Sequence, residues 1–185
     1  MSCIDFRLQP FAGEIFRDDR ASLALEITGK IARRDNSSLC LDFLVAGDVA
    51  EIDIPAPAGL PMRKKSLWEQ TCFEMFVSEK GSSEYREFNM SPSGHWNVYR
   101  FSAYREGMRE ETGFESLPFS TSRADGFFTL SLEIEPARII EADRRLVVGV
   151  GAVIRGKDGG KSFWGLKHCG SKPDFHKRGS FVIEV

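Results

Sequence analysis

Apolar and polar residues alternate with a period of two along most of this chain. Leu23, Leu25 and Ile27 alternate with Ala24 and Glu26, and Leu39, Leu41, Phe43 and Val45 follow. Phe128, Leu130, Leu132 and Ile134 repeat the pattern against Thr129, Ser131 and Glu133. Successive side chains of a strand point to opposite faces, so each run predicts a half-buried strand. "RRLVVGVGAVI" (144–154) is apolar more continuously and suits a central strand, and "SFVIEV" closes the chain as another. Turn-forming clusters separate the runs: "RRDNSS", "PAPAGLP", "EKGSS", "SPSG", "RADG" and "GKDGG". Only "EPARIIEAD" (135–143), with Pro136 in its first turn, predicts a short helix. Residues 103–122 match neither period and are expected to form a loop lying over one sheet. Many strands at short intervals with almost no helix predict an all-β fold, an antiparallel β-sandwich of jelly-roll type in preference to a barrel. With no linker or internal repeat, residues 1–185 are expected to form a single domain.

The segment "SLWEQTCFEMFVSEKGSSEYREFNMSPSGHWNVYRF" carries most of the candidate chemistry. On its first strand Phe73, Met75 and Val77 share one face and Cys72, Glu74 and Phe76 the other. The apolar trio belongs in the core, which turns Glu74 outward or into a cleft. On the second strand Arg86, Phe88 and Met90 oppose Tyr85, Glu87 and Asn89. If the two strands pair, Glu74, Glu87, Asn89 and Tyr85 share one polar surface. The third strand, 95–101, is aromatic on both faces, so its phase stays open between Trp96 and Tyr99; Arg100 lies on the side of Trp96 and reads equally well as a solvated arginine. A polar face with carboxylate, amide and guanidinium groups beside Trp68 is suited to sugar recognition. The C–H face of a pyranose can lie on an indole, while Glu accepts, Arg donates and Asn does both toward its hydroxyls. The competing reading makes Trp68 and Trp96 plugs at the sandwich edges.

Charge narrows the partners. Twenty-five Lys and Arg against 27 Asp and Glu give a net charge of −2, which provides no field for collecting phosphates, so nucleic acid is not an expected partner. The first residues have no basic stretch followed by an apolar run, and nothing approaches the roughly 18 apolar residues of a membrane span. A soluble, cytoplasmic protein without a membrane partner is expected, and its four scattered cysteines are expected to be reduced thiols.

The stretch "FWGLKHCGSKPDFHKRGSF" (163–181) concentrates aromatic rings and histidines. His168 and Cys169 are neighbours that point to opposite faces of an extended strand and do not readily share a metal. Alternation puts Trp164, Leu166 and His168 on one side and Phe163, Gly165 and Lys167 on the other, so Trp164 and His168 are the expected wall of a pocket. Asp174 and His176 are expected to hydrogen-bond within their loop and hold it in place.

Taken together, "FRLQPF", "LWEQTCFEMFV", "YREFNMSPSGHWNVYRFSAYREGM", "FWGLKH" and "KPDFHKRGSF" resemble a DOMON-like protein related to the family 9 carbohydrate-binding modules, over nearly the whole chain. The resemblance implies a β-sandwich and non-catalytic binding of a mono- or oligosaccharide between two tryptophans. It matches Trp68 to the first tryptophan, Glu74 to its acidic partner, Trp164 to the second tryptophan and Arg100 to the basic group. The asparagine that precedes the second tryptophan in that family is absent here, where Lys161 and Ser162 stand instead. The family's structural calcium has candidate ligands in Asp48, Glu51 and Asp53, without a calcium-loop signature. Two rival functions have sequence correlates: haem ligation by Met75 or Met90 with His168, and glycoside hydrolysis by Glu74 and Glu87, which needs carboxyl groups about 5 to 9.5 Å apart.

Overall fold

Two antiparallel sheets face each other in the computed structural model, which describes residues 2–12, 23–34, 38–141 and 144–185. The smaller sheet is built from β1 (Ser2–Arg7), β3 (Leu25–Arg34), β4 (Ser38–Gly47), β10 (Phe127–Ile134) and β9 (Phe119–Ala124), in that spatial order. The larger runs β2 (Gln9–Pro10), β12 (Lys161–Gly165), β11 (Leu146–Arg155), β5 (Cys72–Glu79), β6 (Tyr85–Met90), β7 (Trp96–Phe101) and β8 (Arg109–Glu110). The closing strand β13 (Ile183–Glu184) pairs with the other end of β11. This is the expected β-sandwich.

The period-two runs supply the interior. Leu39, Leu41, Phe43 and Val45 meet Phe73, Met75 and Val77 across the gap between the sheets. The Phe73 ring lies 4.9 Å from Phe43 and stacks on Phe128 at 5.5 Å, so one side chain of the larger sheet ties together two strands of the smaller. The phase of β7 is also decided: Trp96 and Val98 enter the core, and Tyr99 and Phe101 face the other way.

Two expectations need correction. The helix over 135–143 is only a three-residue 3₁₀ turn, Pro136–Arg138; Ile139 and Ile140 are adjacent rather than three or four apart, and Ile140 is drawn into the core. Residues 142–143 lie outside the described residues. The stretch 103–122 is not all loop, because Phe119 opens β9, which pairs with β10 through a turn at Asp125 and Gly126. Its polar sequence disguised an edge strand.

The outer face of the larger sheet carries a second apolar cluster, in which Phe76, Tyr85, Tyr99, Phe101 and Val153 are covered by Phe175 and Phe181 from the C-terminal segment. The glycines of "GVGAV" admit that cover. A methyl group added at Gly149 would stand 2.7 Å from the Phe181 ring, and one at Gly151 would stand 3.0 Å from Phe175. Alternation along β11 therefore puts Val148, Val150 and Ala152 in the core and bare backbone under the two phenyl rings.

Candidate functional site

A cavity of about 290 Å³ opens where the second cluster meets the loop after β7, with Trp68, Phe101, Phe163 and Phe175 among its walls. Its floor is the outward face of β5 and β6. Glu74 pairs with Asn89 and Phe76 with Glu87, so the two glutamates are diagonal neighbours on one face. Both are only 4% exposed.

The two carboxyl groups are held differently. Oε1 of Glu87 accepts a hydrogen bond of 2.9 Å from Nδ2 of Asn89, and Asn89 Oδ1 receives the Cys72 thiol at 3.7 Å. Asn89 is fully buried and props Glu87 from behind rather than lining the cavity, which corrects its expected role as a ligand contact. Glu74 receives no hydrogen bond among the described residues. Burial first, and then repulsion by Glu87, push the Glu74 carboxyl well above its ordinary range. Burial likewise raises Glu87 to about 7, against the hydrogen bond from Asn89 and the charge of Arg105, which pull it down.

The cation of the site is Arg105. Arg100, the expected basic residue, lies on the opposite face of β7 and donates to both oxygens of Glu84, at 3.1 and 2.8 Å. Arg105 belongs to a tight turn closed by an Ala103–Glu106 bridge and has a left-handed backbone with φ of 56°. Its Nη2 donates to Asp174 Oδ1 at 3.0 Å, Tyr104 donates to the other oxygen of Asp174, and the backbone N–H of His176 also donates to Oδ1. These donors together hold the Asp174 carboxyl below its usual range although burial opposes them. The "PDFH" loop is thus fastened both within itself, as expected of Asp174 and His176, and to the distant turn that carries Tyr104 and Arg105.

His176 sits 3.8 Å from Glu87 through Nε2, and burial pushes its imidazole down to about 4, so the ring is neutral near pH 7. Tyr85 accepts the backbone N–H of Arg105 at 3.1 Å, and its hydroxyl lies 2.9 Å from Nδ1 of His176. With Tyr85 donating to Nδ1, the ring proton sits on Nε2, facing Glu87.

The tryptophans divide. Trp68, on the 3₁₀ turn Leu67–Glu69, packs edge-on against Tyr99 at 6.0 Å and lines the cavity. The preceding Ser66 is left-handed with φ of 58°, so Ser66 and Arg105, which flank the cavity's indole and its guanidinium, are the non-glycine residues of positive φ among those described. Backbone strain of this kind collects at functional sites. Trp164 is not a wall. Its Cα partner is Ala152 on the core face of β11, the residue is 6% exposed and belongs to the main core, and its indole N–H donates to Ser162 at 2.9 Å. Phe163, paired with Val153, takes the position on the cavity side. The two tryptophans therefore do not face each other across the cavity, whose aromatic lining is Trp68, Phe101, Phe163 and Phe175.

The other candidates are placed elsewhere. β12 ends at Gly165, and His168 sits in the loop beyond it, with its Nε2 2.8 Å from the Gln9 carbonyl. Met75 and Met90 are wholly buried in the main core, and the contacts of His168 are with Gln9, Phe11 and Phe175 instead. Asp48 accepts the Ala24 backbone N–H at 2.9 Å, Asp53 faces Arg155 at 3.7 Å, and Glu51 is exposed in a 3₁₀ turn. Among the described residues no group of three or more His, Cys, Asp and Glu gathers to hold a metal ion, and no helix is long and apolar enough to cross a membrane.

No family model and no curated protein sequence matches the chain. The fold is similar to that of a candidate carbohydrate-binding protein from Bacteroides uniformis, with a TM-score of 0.69 at 15% identity over 96% of this chain and 83% of that one. It is also similar to a family 9 carbohydrate binding module from Caldicellulosiruptor kristjanssonii in complex with glucose, with a TM-score of 0.52 at 10% identity over 96% and 88%. At such identities the likeness establishes the sandwich fold.

Proposed function

We propose that this protein binds a saccharide in the cavity between β5, β6 and the C-terminal segment, without transforming it. The observation that carries the reading is the meeting, in about 290 Å³, of two buried carboxyl groups and a tethered guanidinium with an aromatic wall. Aromatic walls suit the C–H face of a pyranose; carboxyl groups and a guanidinium suit its hydroxyl rim. The volume lies at the lower end of the range for small-molecule sites, about 300 Å³, and fits one sugar ring with any further rings outside. Glu74, without a hydrogen bond among the described residues, takes hydroxyls of the ring, and Glu87 and Arg105 complete the contacts. Similarity to carbohydrate-binding folds supports the same reading, as does the sequence resemblance to DOMON-like proteins.

A glycan array read with the intact protein and with Trp68→Ala tests it. Saccharide binding that weakens in the variant is expected, and binding of no glycan would remove the reading. The same preparations, incubated with oligosaccharides, test hydrolysis: reducing sugar released by the intact protein and lost in Glu74→Gln would turn the Glu74–Glu87 pair into a catalytic one.

A further inference from the structure

The cavity contains more acceptors than its own donors satisfy. Three carboxyl groups line it, from Glu74, Glu87 and Asp174, against one guanidinium, that of Arg105, whose Nη2 is already held by Asp174. Oε1 of Glu87 is taken by Asn89, while Oε2 lies 3.8 Å from the His176 ring, beyond hydrogen-bond range. Both oxygens of Glu74 also lack a donor among the described residues. Three buried carboxyl oxygens without a partner among the described residues therefore open on one small space, and they all become acceptors once the pair gives up the protons that burial favours. A hydroxyl brings one O–H; an ammonium brings three N–H donors, no acceptor and a positive charge. The walls of Trp68, Phe101, Phe163 and Phe175 suit a cation as well, because ring faces attract positive charge.

We propose that the saccharide this site prefers is an amino sugar, with its protonated amine seated between Glu74 and Glu87. The inference rests on the saccharide reading above and adds the charge of the ligand. Repulsion between the two glutamates and their burial both disfavour the doubly ionised pair, and a cation between them offsets both effects. The remaining groups about the pair supply little of that charge: Cys72 and Tyr85 are acids that never carry a positive charge, His176 is neutral, and Arg105, whose charge lowers both carboxyls, is shared with Asp174.

Calorimetric titration of the full chain with D-glucosamine, D-glucose and N-acetyl-D-glucosamine at about pH 6, where a sugar amine is charged, decides the matter. The expected result is glucosamine binding at least about ten-fold tighter than either neutral sugar, a difference of about 1.4 kcal/mol. In Glu74→Gln and in Glu87→Gln, verified as folded by thermal unfolding, the preference for glucosamine over glucose should fall below about three-fold. Glucose binding as tightly as glucosamine would overturn the amine preference and leave the saccharide site standing. Absence of binding by all three sugars would overturn both. The comparison of the three on the unaltered chain decides even if a variant fails to fold.

Discussion

Asp174 holds Arg105 at 3.0 Å across 69 residues of sequence, and this ion pair joins the C-terminal loop to the turn after β7. Side-chain exposure is 12% for Asp174 and 52% for Arg105, so the carboxylate is the sheltered partner. Asp174→Ala removes the acceptor for Tyr104, Arg105 and the His176 N–H together. Hydrogen bonds to charged groups contribute about 1.5–3 kcal/mol where sheltered, and the exposure of Arg105 lowers its share. A loss of about 1–2 kcal/mol in unfolding free energy is expected, together with faster amide exchange in 173–177 and weaker saccharide binding. Unchanged exchange in that loop would show that the pair does not hold it.

The tryptophans predict opposite phenotypes. Trp164→Ala empties a core position and should cost about 3–5 kcal/mol of stability in a denaturant titration. Trp68→Ala should leave the unfolding midpoint nearly unchanged and cost about 0.5–1.5 kcal/mol of saccharide affinity through the lost ring contact. If Trp164→Ala kept its stability and lost binding, the assignment of the two rings would be reversed.

Gly149→Ala tests the fit of the C-terminal segment. The new methyl would meet the Phe181 ring at 2.7 Å, so the ring or the strand must shift, at about 1–3 kcal/mol. Coupling the change with Phe181→Ala should recover part of the loss, which a double-mutant cycle measures.

Stability should depend on pH through two groups of opposite sign. Glu87 is raised from 4.5 to about 7, so the folded state holds its proton more tightly, and stability falls as pH rises through that interval. His176 is lowered from 6.5 to about 4, so the contribution it makes above 6.5 is lost as pH falls toward 4. The stability of the intact protein minus that of Glu87→Gln should therefore decline between pH 4.5 and about 7. The same difference taken against His176→Gln should rise between about 4 and 6.5. A flat difference for either variant would remove that group from the titration.

The sandwich was legible because it depends on local alternation. Phe73, Met75 and Val77 have no other way to be buried together than on one face of a strand, and that assignment commits Glu74 to the opposite face. Pairing with the next strand then brings Glu87 and Asn89 beside it. The carboxyl pair on the cavity floor follows from the pattern of one hairpin.

The rest depended on contacts between segments far apart in the chain. In "FWG" either aromatic residue satisfies alternation, and only the register against β11, with Ala152 opposite Trp164, sends the indole inward and Phe163 outward. Arg105 carries no periodic signal; it reaches the cavity because its turn takes a left-handed backbone and Asp174 meets its side chain. Period two decides which residues of a strand share a face, but absolute phase and loop placement are set by what packs on that face, here Phe175 and Phe181 lying over glycines.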